Sequence, residues 1–145
     1  MVSSKTKRAV SDINKFECKL RKHCTGASIK VRKLESQWSF EIGSTIRIDG
    51  WMLWRLVGES CIEVCSEDHG HSFGLPDPVD AEEKFSDLAG GSKIKRVELM
   101  KPTGDLTFHL SNGMWLELIV TSSGYENWVI SEGGEFLAAG MSGGI

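Results

Sequence analysis

Two stretches of this chain carry residue types that do chemistry. The first is Cys61-x3-Cys65-x3-His69-x-His71. Thiolates and imidazoles are the ligands zinc prefers. If residues 60–65 form a strand, Cys61 and Cys65 share a face but stand about 13 Å apart at a rise of about 3.3 Å per residue, too far to hold one ion. Cys65, His69 and His71 remain as a set that a loop could gather, which would make the chain a small-ligand- or zinc-binding enzyme. The spacing is not that of a structural zinc site, and small cysteines are commonly just buried. No metal, cofactor or catalytic residue is therefore assigned. Cys24 beside His23 does not make a thiol–imidazole pair, since adjacent helix residues point apart. His109 alternates with Phe108 and Leu110 and belongs on a solvent face; with Glu117 it is the other acid–base combination available to an enzyme.

The second stretch is acidic. Glu59, Glu63, Glu67, Asp68, Asp77, Asp80, Glu82, Glu83 and Asp87 face a single cation, Lys84. The polarity is part of a wider asymmetry. Residues 1–36 carry ten Lys/Arg against Asp12, Glu17 and Glu35, whereas residues 37–145 carry seven Lys/Arg against seventeen acids, within a net charge of −3. Segregated charge steers charged partners, and a solvated basic arm against an acidic body is the plainer alternative. An acidic body repels phosphates, so a nucleic-acid partner is not expected. Ala89-Gly90-Gly91-Ser92-Lys93 follows a helix and lacks the spacing of a phosphate loop; it reads as a helix end and a turn.

The elements that must position these residues follow from periodicity. Ser11 can cap a helix carrying Ile13, Phe16, Leu20 and Cys24 on one face, stopped at Gly26. Strands are predicted at Ser28–Leu34, Gln37–Ile42, Thr45–Asp49 and Trp51–Val57, with Ser60–Cys65 continuing the sheet. Residues 66–78 form a loop, and Asp77 or Asp80 caps a helix over about 79–89 with Phe85 and Leu88 inward. Further strands are predicted at Lys93–Met100, Leu106–Leu110, Met114–Val120, Trp128–Ser131 and Phe136–Ala139, with Ser111-Asn112-Gly113 as a hairpin turn.

Residues 26–58 and 91–133 align. Ile29 matches Ile94, Phe40 and Ile42 match Phe108 and Leu110, Ile48 matches Leu116, and Gly50, Trp51 and Trp54 match Gly124, Tyr125 and Trp128. The chain is thus expected to be one α+β domain of two tandem pseudo-repeats, each a helix plus an antiparallel meander: about 11–58, an acidic linker about 59–78, and about 79–139. The two units are expected to form one curved antiparallel sheet or partly open barrel with helices on one side. Trp38, Trp51, Trp54 and Trp128 are assigned to the core. Trp115 shares its side with Glu117 and faces outward, where large aromatics anchor partners.

The second half resembles a known pattern. The run GDLTFHLSNGMWLEL, then Tyr125-Glu126-x-Trp128, then a glycine-rich end at Gly143-Gly144, is similar to the C-terminal half of a widespread, uncharacterised bacterial small-domain family. The likeness covers about residues 85–145 well and 20–60 loosely. It implies a fold and no activity; proteins of this kind are often immunity proteins of toxin systems.

Composition adds bounds. No apolar run approaches a membrane span, and MVSSKTKRAVSDINKF has no apolar segment of a secretory signal, so a cytoplasmic protein with reduced cysteines and no membrane partner is expected. The function expected is non-enzymatic: a protein that neutralises a toxin, such as a nuclease with a basic cleft, by covering it with the Glu59–Asp87 carboxylates and Trp115. A structural module, homodimeric through the last strand, is the remaining alternative.

Overall fold

A computed structural model describes residues 15–100, 102–121 and 126–141. The chain is α+β. Helix α1 covers residues 15–24 of the described chain, and α2 is Ala81–Ala89. Ten strands follow in the order β1 Ile29–Lys33, β2 Trp38–Ile42, β3 Ile46–Gly50, β4 Leu53–Val57, β5 Ile62–Cys65, then, after α2, β6 Ile94–Met100, β7 Asp105–Leu110, β8 Trp115–Ile119, β9 Glu126–Glu132 and β10 Glu135–Met141. The strands arise where apolar residues alternate. Ile29 and Val31 of β1 are buried while Lys30 and Arg32 are exposed, and Leu106, Phe108 and Leu110 of β7 are buried between half-buried polar residues. Helix α2 starts where the Asp80 carboxylate accepts the Glu83 N–H at 3.1 Å. Its buried Ala81, Phe85 and Ala89 repeat every four residues, which places them on one face.

The strands form two antiparallel sheets, ordered β1-β2-β3-β9-β10 and β5-β4-β8-β7-β6. A single curved sheet or partly open barrel is therefore not formed. The expected continuation from β3 to β4 fails because each strand takes its neighbour from the other half. Ile48 and Gly50 of β3 pair with Ile130 and Trp128 of β9, while Trp54 and Leu56 of β4 pair with Leu118 and Leu116 of β8. Trp51 and Met52 carry the chain from one sheet to the other. This crossing also corrects the place of Trp51: it is 61 % exposed, and Met52 at 1 % is the residue that enters the core. Leu53 is likewise on the outside, and β4 buries one face through Trp54 and Leu56.

Both runs of one helix and five strands have the same strand order, and several local bonds correspond. Thr25 N–H bonds Arg21 O, Ala27 N–H bonds Cys24 O and Gly43 N–H bonds Ser28 O; in the other run Gly90 N–H bonds Ser86 O, Ser92 N–H bonds Ala89 O and Ser111 N–H bonds Lys93 O. Arg55↔Cys65 and Leu56↔Val64 in β4–β5 stand where Val129↔Ala139 and Ile130↔Ala138 stand in β9–β10. A register irregularity follows at the same step in both pairs. The region 59–78, expected as linker, thus contains β5.

The inner faces of the sheets meet in one core. Trp54 of one sheet lies edge-on to Trp38 and Phe40 of the other, at 5.1 and 6.3 Å, and to Phe85 of α2 at 5.9 Å. Such pairs add about 0.5–1.5 kcal/mol each to the burial itself. Phe16 of α1 stacks on Trp128 at 6.0 Å. Helix α2 packs against β1 and β5, an edge of each sheet. Among the described residues no helix is long and apolar enough to cross a membrane.

Candidate functional site

The acidic segment is held to the body by backbone and side-chain bonds. A 3-10 turn at Ser66–Asp68 is fixed when Asp68 Oδ2 accepts the Cys65 N–H at 3.1 Å and Ser66 Oγ accepts the Trp54 N–H at 3.1 Å. The next loop closes on itself: Gly70 N–H bonds Val79 O and Val79 N–H bonds His71 O, both at 2.8 Å. Between these ends the chain bulges outward with Phe73 67 % and Leu75 60 % exposed. Phe73 has φ 48, the left-handed region that a non-glycine residue seldom takes. Loops whose ends are tied and whose tip is apolar are frequently binding elements. Phe73 and Leu75 were not among the residues singled out from the sequence. The signal available was two large apolar residues in a Gly- and Pro-containing loop with no alternation to bury them.

The Cys65, His69 and His71 set is not gathered. His69 Nδ1 accepts the Ala81 N–H at the start of α2, at 3.1 Å, and its ring lies edge-on to Trp38 at 5.4 Å. It is a fastener between the loop, helix and core. His71 turns outward beside Phe73, at 5.7 Å between rings. Among the described residues no three His, Cys, Asp or Glu side chains converge to hold a metal. Burial raises the Cys65 thiol above its ordinary range. Burial also pushes the Cys24 thiol up to about 12, so neither is a ready thiolate. His23 faces Glu132 at 3.7 Å.

The nine carboxylates of Glu59–Asp87 divide by role. Asp68 and Asp80 spend an oxygen on local backbone N–H groups, as turn and helix caps. Glu63 Oε1 accepts from the Cys61 thiol at 3.6 Å. Glu59, Glu67, Asp77, Glu83 and Asp87 are exposed and Glu82 is half-buried. Among the described residues none of the nine forms an ion pair, whereas on the sheets Glu41, Asp49, Glu98 and Glu117 are each matched by an arginine.

Trp115 lies on the outer face of its sheet, half-buried. Its Nε1 donates to Glu117 at 2.8 Å, and its ring adjoins His109 at 6.2 Å. Glu117 is bonded to Arg55, and His109 faces Arg96 at 3.2 Å and Glu98 at 3.5 Å. His109 and Glu117 therefore answer to different partners and do not form an acid–base pair. Asn112 of the hairpin accepts the Met114 N–H at 2.9 Å and donates to Leu88 O at 3.0 Å. Gly113 takes φ 88 at that turn, a conformation glycine tolerates. Tyr125 and Gly143-Gly144, which carry the rest of the family resemblance, lie outside the described residues. Set against known protein families, curated proteins and solved structures, the chain matches none.

Proposed function

We propose that this chain acts by binding another protein, without catalysis, through the surface of residues 59–87. The observation that carries this reading is a set of nine carboxylates with no ion-pair partner among the described residues, beside the exposed Phe73 and Leu75. An apolar anchor within a charged rim is the usual anatomy of a binding surface. The complementary partner presents a basic patch with a shallow apolar recess, and the steering supplied by the carboxylates accelerates encounter. A nuclease toxin with a phosphate-binding cleft fits that description, which makes neutralisation by occlusion the specific form of the proposal. We also read the two helix-plus-five-strand runs as copies of one unit. Their shared strand order and the matching register of β4–β5 and β9–β10 support this, as does the likeness of Trp54 and Trp128 as buried residues.

The test uses the product of the adjacent gene as the binding partner. Glu59→Gln, Glu67→Gln and Asp77→Asn together should slow association about tenfold at low salt and flatten its salt dependence, with little change in dissociation. Phe73→Ala should instead speed dissociation. An unchanged association rate in the triple variant would sink the acidic-surface reading.

A further inference from the structure

The two helix–edge junctions differ in a side chain that reaches the edge strand. On α1, Arg21 pairs with Glu17 at 2.8 Å and its Nε donates to Val97 O of the edge strand β6 at 3.3 Å. The following loop occupies β6 further, with Gly26 N–H bonding Ile94 O and Ile94 N–H bonding Ala27 O, each at 2.8 Å. That edge is closed by its own chain. At the other junction α2 flanks β1, also an edge strand. Val31 pairs with Phe40 as Val97 pairs with Phe108. Glu82 is four residues before Ser86, as Glu17 is four before Arg21, and the matched bonds of Ser86 and Arg21 align the helices. The acid and the carbonyl are present and the arginine is replaced by serine.

Among the described residues no backbone hydrogen bond caps the outer edge of β1. Gly43 N–H bonds Ser28 O, so the antiparallel alternation turns the N–H and C=O of Ile29 and Val31 away from β2. A groove of about 490 Å³ lies there, lined among others by Lys30, Val31, Glu82, Ser86 and Asp87. We propose that this groove docks an extended, arginine-bearing segment of the protein partner, adding a strand beside β1 and placing its guanidinium between Glu82 and the Val31 carbonyl. Strand addition uses outward backbone groups for affinity and side-chain pockets for specificity. Arginine suits the place because one planar fork reaches a carboxylate and a carbonyl together, as Arg21 does, whereas lysine offers a point charge. A second copy of this chain is disfavoured as occupant, since Lys30, Arg32 and Lys33 of two β1 strands would face one another. The inference rests on the protein-binding reading above and deepens it by naming the segment the partner presents.

The test titrates the full chain with a blocked five-residue peptide, one central arginine flanked by threonine and valine, while backbone amide shifts are followed by NMR. The Ile29 and Val31 amides should move. Citrulline in place of arginine, Glu82→Gln and Ser86→Arg should each weaken binding about tenfold or more, the loss of a charge-assisted hydrogen bond or of the space itself. Ser86→Ala, which keeps the groove open, should bind as the wild type does. Shifts confined to other amides, or unchanged binding by Ser86→Arg, would overturn the proposal, as would a dimer in light scattering with β1 at its interface. A peptide that fails to bind while the Glu59, Glu67 and Asp77 variant still slows the partner removes the groove and leaves the acidic surface standing. The converse result removes the acidic surface alone.

Discussion

The half that ends at Cys65 and the half that begins at Ala81 share strand order and much of their register, yet they finish their edges and surfaces differently. Trp54 and Trp128 occupy equivalent places, each in the fourth strand of its run and each opposite the third strand of the other. Trp128 Nε1 donates to Gly104 O at 2.8 Å. Trp54 Nε1 is buried and has no partner among the described residues. Cys24 and Ala89 sit at matched helix ends, both buried. Outside, Asp49 lies opposite Val129 where Glu117 lies opposite Arg55. The difference teaches that the shared register sets where an aromatic or a charge must stand, while the bonds that satisfy it are local to each half.

The largest effects should come from the tryptophans. Trp54→Ala and Trp128→Ala should each cost about 3–5 kcal/mol in urea unfolding, since both are fully buried. The sharper comparison is with phenylalanine. Trp128→Phe strands the buried Gly104 carbonyl and should cost about 1–3 kcal/mol beyond the lost packing, whereas Trp54→Phe removes an N–H that had no partner and carries no such penalty. Equal costs for the two Phe variants would show that the indole nitrogens do not distinguish the halves.

How much of this could be read from residues follows from what is local. The strand alternation, the Asp80 cap and the Asn112-Gly113 turn are short-range, and each predicted strand overlaps an observed one. The partition into two sheets was not legible, because β3–β9 and β4–β8 are pairings between distant segments that no period announces. Trp51 was misplaced for the same reason: its match to Tyr125 implied the core, and only the crossing between sheets turns it out. Cys65, His69 and His71 offer ligand types that leave a metal-binding alternative open, because residue type does not reveal that an imidazole is committed to the Ala81 N–H. The carboxylates were visible as a run, but that no arginine among the described residues pairs with them needed the fold. Glu98 and Glu117 are ordinary acids in the sequence, and the sheets give each a neighbouring arginine.

The next effect separates the halves by pH. Burial pushes the Cys24 thiol from its ordinary 9.0 up to about 12. The folded state resists ionisation that the unfolded chain allows, so the associated stability is whole below pH 9 and drains as pH rises toward 12. Cys24→Ala copies the residue that Ala89 supplies in the other half. Its urea midpoint should fall less between pH 8.5 and 11 than that of the wild type, the other titrating groups being common to both. If the two curves stay parallel, the buried thiol does not set an alkaline limit.

The smallest effect lies on the outer faces. Arg55 and Glu117 are 42 and 22 % exposed as side chains, so water and salt screen their attraction, and a double-mutant cycle with Arg55→Gln and Glu117→Gln should give a coupling within about 1 kcal/mol. Raising the ionic strength should shrink it further. Glu117 also accepts from Trp115 Nε1, which separates charge from hydrogen bonding. Glu117→Gln keeps an oxygen for the indole and loses only the charge, so it should be milder than Glu117→Leu, which loses both. The equivalent strand pair in the other sheet has Val129 opposite Asp49 and sends Asp49 to Arg47 at 2.8 Å instead. A coupling well above 1 kcal/mol would mean that Arg55, Glu117 and Trp115 brace their sheet in a way the other sheet lacks. A small one would leave Trp115 held in place at little cost, a half-buried aromatic still available to a partner.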